Sequence, residues 1–117
     1  MPNSAREFFT ALAERGFEPH LRGIRGTYRF EVQGAGDWNL TVDDGHLTVR
    51  QGKGPADCII TISEDDLVAA ARGKLNLLTR AMQGCVEIRG DLQLAQAFHA
   101  MIRATRVASA REEHAHA

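Results

Sequence analysis

A chain of 117 residues has the length of one domain, since single cores are commonly built from roughly 100 to 150 residues. Fourteen basic and fifteen acidic residues leave a formal net charge of -1, which excludes the strong positive field of a protein that grips nucleic acid or an acidic membrane. No apolar run approaches the ~20 residues of a membrane span, and Cys58 and Cys85 are too few for a disulfide scaffold and not spaced as a metal pair. The expectation is a cytoplasmic protein with reduced, mostly buried thiols and, since Glu7 and Glu14 interrupt the first fifteen residues, no signal peptide.

Residues 4–15 (SAREFFTALAER) predict a helix. Ser4 stands at the N-cap with Glu7 at the capping-box position, and Phe8 and Leu12, with Phe9 and Ala13 beside them, form the apolar face. Gly16 is a stop signal. A period of two takes over in 24–33, where Ile24, Tyr28, Phe30 and Val32 share one parity and Arg25, Thr27, Arg29, Glu31 and Gln33 the other; this is a strand with one wet face. After the GAGD turn, Trp38, Leu40 and Val42 alternate with Asn39 and Thr41. Asp43-Asp44-Gly45 marks a hairpin turn, and Leu47 and Val49 face inward on the next strand. GKGPAD (52–57) reads as a loop. CIITI (58–62), apolar on both faces at Ile59 and Ile60, reads as a fourth strand that is central or partly covered on both sides, and the four strands together as an antiparallel meander.

Ser63 and Asp66 then form a capping box, with Glu64, Asp65 and Asp66 where a helix dipole favours acids, and Gly73 ends that helix. LNLLTRAMQ (75–83) predicts a short helix with Leu75, Leu78 and Met82 on one side and Leu77 and Ala81 close by. CVEIR (85–89) is a late strand with Val86 and Ile88 on one face. Asp91 caps a last helix whose apolar positions are Leu92, Leu94, Ala95, Phe98, Met101, Ile102 and Val107. The fold class is α+β: a two-layer sandwich, with a five-stranded, mostly antiparallel sheet covered by helices on one face. The whole of 1–117 is one domain, with 108–117 a flexible or peripheral tail.

The candidates for chemistry are thin. Asp43, Asp44 and His46 share a solvated turn, so a polar turn outweighs an acid–base pair. His99 reads as a partly exposed helix residue before a polar group at a pocket mouth. His114 and His116 give two ligands in a loose tail, a weak metal site. Neither cysteine has a base near it in sequence. Gly34-Ala35-Gly36 and Gly52-Lys53-Gly54 lack the rest of a phosphate-binding fingerprint and read as turns. Arg22, Arg25 and Arg29 could form a basic strip on the open sheet face, where solvated charge is the default and a headgroup or phosphate contact the alternative. No catalytic residue, metal or cofactor is assigned.

The joint order of GTYRFEV, DWNLTVDDGHLTV, ADCIITISEDDLVAAARGKLN and GCVEIRGDLQLAQAF, from about Phe8 to Met101, resembles the sterol carrier protein type-2 family. Taken singly, these motifs are common; their order and spacing carry the resemblance. It implies non-catalytic binding and transfer of a hydrophobic ligand (fatty acid, acyl-CoA, phospholipid, isoprenoid or sterol-like) in an apolar tunnel between sheet and helices. The alternative is an accessory domain that presents a lipophilic intermediate, or its own groove, to a partner enzyme. The low lysine and high alanine and arginine content suits a stand-alone bacterial member. The balanced charge and the lack of a long apolar run give the expectation of no nucleic-acid partner and no membrane-integral segment. Both monomer and homodimer stay open, with the exposed sheet face or the last helix as a dimer surface. A chain ending His-Ala-His-Ala is not expected to carry a peroxisomal address.

The tunnel lining is assigned to Phe30, Trp38, Leu40, Leu75, Leu78, Met82, Leu94, Phe98, Met101 and Ile102; for any one of them taken singly, ordinary core filling is the competing and favoured reading over ligand contact. An empty apolar cavity costs roughly 24 cal/mol per Å³, so a ~300 Å³ tunnel would cost on the order of 7 kcal/mol, a large share of a domain's stability. Such a tunnel is expected to be filled, partly collapsed or gated by a mobile helix. The segment Leu75 to Met82, between Gly73 and Gly84, is the expected mover.

Overall fold

The computed structural model describes residues 3–103. The expectations placed on Val107, on the 108–117 tail and on His114 and His116 lie outside these residues.

Helix α1 spans Ala5–Arg15. Ser4 Oγ accepts the Glu7 N–H at 3.2 Å, while the Glu7 carboxylate accepts the Asn3 N–H at 2.5 Å, one residue before the usual reciprocal partner. Gly16 takes the left-handed conformation (φ 67°) and its N–H donates to Leu12 O. A 3-10 turn, Pro19–Leu21, leads into the sheet. Strands β1 (Arg25–Gln33), β2 (Gly36–Asp43) and β3 (His46–Gln51) follow as two hairpins. At the second hairpin Asp44 and Gly45 have φ of 50° and 88°, the pair of positive values that fits a two-residue turn to the strand twist.

After β4 (Cys58–Ser63), helix α2 (Glu64–Ala71) starts under the Ser63 cap, whose Oγ accepts the Asp66 N–H at 3.1 Å. The Glu64 carboxylate accepts the Ala5 N–H at 3.0 Å, so one acid serves the N-termini of two helices. Helix α3 is Leu77–Met82, β5 is Glu87–Gly90, and α4 covers residues 92–103. Asp91 caps α4, its Oδ1 accepting N–H groups from Gln93 (2.8 Å) and Leu94 (3.4 Å).

The described residues form a five-stranded sheet in the order β3-β2-β1-β4-β5, with Tyr28, Phe30, Val32, Trp38, Leu40, Val42, Ile60 and Ile62 buried on the covered side. Strand β4 lies inside the sheet between β1, the middle strand, and β5 at the edge. The α+β sandwich agrees with the sequence pattern. The meander does not: β4 pairs parallel to β1, with Phe30 opposite Ile60. Only three of the four pairings are antiparallel. Residues 52–57 make this possible by crossing from β3 over β2 and β1. Three strand spacings are about 14 Å, and six extended residues reach about 20 Å. Alternation fixes which face a residue joins, not which strand lies beside it.

The crossing ends at Asp57, a junction for four elements. Its N–H donates to Thr27 O (2.8 Å), its Oδ2 accepts the Thr27 N–H (2.9 Å), and its carbonyl accepts the Asp91 N–H (2.8 Å). Two glycines allow this. A Cβ on Gly90 (φ 94°) would lie 2.3 Å from Asp57 O, and one on Gly26 would lie 2.7 Å from Leu94 Cδ1. Gly90→Ala is therefore expected to destabilise the domain by about 3 kcal/mol, clash added to backbone strain. Gly23→Ala, at φ 83° with open space around it, should cost only about 1 kcal/mol. Urea unfolding of the two variants checks the contrast.

Candidate functional site

The layer between sheet and helices is built from aromatic rings. Phe8 and Phe9 come from α1, Tyr28 and Phe30 from β1, Trp38 from β2 and Phe98 from α4. Phe9 stacks on Trp38 with centroids 4.9 Å apart and meets Phe30 at 5.2 Å. Phe98 lies 4.9 Å from Phe30 and 5.7 Å from Tyr28. These offset and tilted geometries are the favourable ones for ring pairs. Two polar atoms enter the layer. The Tyr28 hydroxyl donates to Leu94 O at 2.6 Å, which ties α4 to β1. The Trp38 indole N–H is buried and has no partner among the described residues; the Arg6 guanidinium sits 6.0 Å from the ring centre.

Seven of the ten assigned lining residues meet in this layer: Phe30, Trp38, Leu40, Leu94, Phe98, Met101 and Ile102 are all buried. Leu75 is half-buried at its margin. Leu78 and Met82 are not in it, being 36% and 89% exposed. The side assigned to α3 is thus corrected: Leu77 and Ala81, four residues apart, face the core, and Leu78 and Met82 face out. Two polar ties set this rotation. Asn76 Oδ1 accepts the Thr79 N–H at 3.0 Å, and Arg80 reaches the Asp66 carboxylate on α2 at 3.3 Å. Leu92, at the start of α4, is also exposed.

Sequence reasoning left Phe9 and Tyr28 out of the lining, although Tyr28 shares the parity of Phe30 and Phe9 the helix face of Phe8. It missed Glu18 altogether. That carboxylate is buried, contacts the Arg15 guanidinium and lies 2.5 Å from His20 Nδ1. The Glu18 N–H donates to Gly45 O at 2.8 Å, fastening the end of α1 to the β2–β3 turn. The turn acids have similar structural partners: Asp43 pairs with Arg25 at 3.3 Å, and Asp44 Oδ1 accepts the Gly23 N–H at 2.7 Å. His46 packs on Phe17 with centroids 5.0 Å apart. Arg22, Arg25 and Arg29 do not form a strip: Arg22 sits over Phe17, and Arg29 turns to Glu31 and to Gly54 O. His99 on α4 is half-buried.

The cysteines differ. Cys58 is buried and Cys85, against expectation, is exposed. Burial, then the Asp91 and Asp57 carboxylates, push the Cys58 thiol from 9.0 up to about 11; burial also raises the Tyr28 phenol well above its ordinary value. Cys58 is therefore a poor nucleophile in the fold. The unfolded thiol ionises before the folded one, so this group's contribution is complete below pH 9 and declines as pH rises toward 11. At pH 8 an aromatic disulfide reagent is expected to titrate Cys85 at once and Cys58 only after denaturation.

Among the described residues no helix is long and apolar enough to cross a membrane. Residues 9–103 match the SCP-2 sterol transfer family. Sterol carrier protein 2 of Oryctolagus cuniculus is 34% identical over 96 residues, which cover 77% of this chain and 17% of that protein. The chain thus spans about a sixth of that relative. The solution structure of the sterol carrier protein domain 2 of Helicoverpa armigera superimposes with a TM-score of 0.70 at 29% identity, covering 86% of each chain. An inverting sec-alkylsulfatase from Pseudomonas sp. has a TM-score of 0.70 at 31% identity; 81% of this chain matches 16% of the sulfatase.

Proposed function

The chain belongs to the SCP-2 sterol transfer family, and from that premise we propose that it holds one hydrophobic ligand between α1, α4 and the covered face of the sheet, without transforming it. The observation that carries this reading is the buried indole N–H of Trp38, which has no partner among the described residues, in a layer whose other polar group, the Tyr28 hydroxyl, is bonded. Leaving such a donor unmade in the interior costs on the order of 1 to 3 kcal/mol. A carboxylate or hydroxyl at the end of a lipid satisfies it, and Arg6 stands close by to favour an anionic end. The hydrocarbon then lies along Phe30, Phe98, Met101 and Ile102.

The ring packing described above is the collapsed arrangement, in keeping with the cost of an empty cavity. Entry requires a moving element, and α3 suits it. It is six residues long with Leu77 as its fully buried contact. Gly73 and Gly84 flank it with φ of 79° and 81°. Outward movement with a rotation of about 100°, one residue about the helix axis, exchanges the Leu77 face for the Leu78 and Met82 face and brings the two exposed residues against the ligand.

A second reading draws on relatives in which the matching part is a small share of a longer protein: 17% of sterol carrier protein 2 and 16% of the sec-alkylsulfatase. On it, the bound lipid is presented to a partner enzyme. The carrier reading requires the ligand; the partner reading requires a complex, formed with the bound lipid or with the bare groove.

Trp38 is the sole tryptophan, so its emission reports the site directly. Oleate is expected to change that emission to saturation at one ligand per chain. Arg6→Gln should weaken binding about 3- to 10-fold with no change in melting temperature. Unchanged emission across fatty acids, isoprenoids and sterols would contradict the reading.

A further inference from the structure

The face of the sheet away from the helices carries a cleft that the lipid reading leaves unused. Its floor is two cross-strand rows. Thr27 of β1 stands opposite Thr41 of β2, which stands opposite Thr48 of β3; the next row is Arg29, Asn39 and Arg50. Its wall is the 52–57 crossing, and this wall is built rather than loose. Asn39 Oδ1 accepts the Gly54 N–H at 3.3 Å, Asn39 Nδ2 donates to Pro55 O at 3.4 Å, and Arg29 Nη1 donates to Gly54 O at 3.1 Å. The approach is close enough that a Cβ on Gly54 would lie 2.7 Å from Asn39 Nδ2. The cleft is open to solvent and has a volume of about 560 Å³, within the range that accommodates a small molecule.

The lining has one chemical character. No acidic side chain lines the cleft. The Arg50 guanidinium has no hydrogen bond or ion pair with another described residue. Lys53 reaches toward Asp37 only at 3.8 Å and is 70% exposed. The hydroxyls of Thr27 and Thr41 are 3.4 Å apart, and Thr48 continues the row. Thr48 and Arg50 are two residues apart on one strand, so both point to the open face about 7 Å apart. A row of hydroxyl donors beside a planar cationic fork is complementary to a tetrahedral oxyanion, which takes two oxygens on the guanidinium and presents the others to the hydroxyls.

We propose that this cleft binds a phosphate-type oxyanion, free or as the ester of a small hydroxylated molecule, on the face of the sheet opposite the lipid. The space beyond one phosphate is lined by threonine, asparagine and glutamine side chains, which suit hydroxyl groups on the carrier. Because the sheet separates the cleft from the aromatic layer, the proposal does not depend on the lipid reading and can fail without it.

The test is a proton–nitrogen correlation NMR titration of the full chain. Inorganic phosphate, glycerol 3-phosphate and sodium chloride are compared at equal ionic strength. Saturable shifts confined to the amides of 39–41 and 48–54 are expected with the phosphates and not with chloride. Arg50→Gln, an exposed position, should fold normally and bind about tenfold more weakly, the loss expected for one charge-assisted contact. Tighter binding of glycerol 3-phosphate than of phosphate assigns the cleft to an ester; equal binding assigns it to phosphate itself. Non-saturating shifts, the same shifts with chloride, or unchanged affinity in the folded Arg50→Gln protein would overturn the proposal.

Discussion

The seating of α4 on β1 is the constraint on which the rest of the structure depends. The Tyr28 hydroxyl holds the Leu94 carbonyl, and Gly26 leaves room for the Leu94 side chain. Asp57, the residue before β4, joins the start of β1 through two hydrogen bonds and the cap of α4 through one. Because Asp57 is also the last residue of the crossing from β3, the same junction makes β4 parallel to β1. It lets β5 enter as the outer edge strand, and Gly90 then turns the chain into α4. The late strand therefore completes the sheet edge and launches the helix that roofs the aromatic layer.

The strands serve two chemistries through their alternation. On β2, Trp38, Leu40 and Val42 face the helices, while Asn39 and Thr41 face the open side. On β1 the division falls between Tyr28 and Phe30 on one side and Thr27 and Arg29 on the other. On the covered side the Tyr28 hydroxyl is bonded to Leu94 O, and the Trp38 N–H has no partner among the described residues. On the open side, the cleft over β1, β2 and β3 carries the threonine row and Arg50 under a loop fastened by Asn39 and Arg29. A lipid on the first side and a polar anion on the second would use the same strands without competing for any side chain.

Much of this was legible in the residues. Caps at Ser4, Ser63 and Asp91, the left-handed stop at Gly16 and the Asp44-Gly45 turn are local signals, and the structure follows each of them. Strand parity sorted the buried from the wetted residues of β1 and β2. What stayed hidden is non-local. The parallel pairing of β1 with β4 depends on where six loop residues land, and nothing in their composition says so. The rotation of α3 depends on the Arg80–Asp66 pair with its neighbour helix; in a six-residue helix with apolar side chains on several flanks, one residue of rotation exchanges Leu78 for Leu77. Glu18 reads as a surface acid until Arg15 and His20 close over it. Phe30, Phe98 and Met101 lie on long regular elements and are buried, whereas Met82 lies on the short α3 and is exposed.

The central claim is that the aromatic layer opens to hold a lipid. The most direct measurement is native mass spectrometry of the purified chain, followed by organic extraction and identification of what is released. The account predicts a species heavier than the bare chain by one fatty acid, phospholipid or isoprenoid, which disappears on extraction and returns on adding that lipid back. A bare chain that takes up no lipid from an excess of each class, while remaining folded, would contradict it.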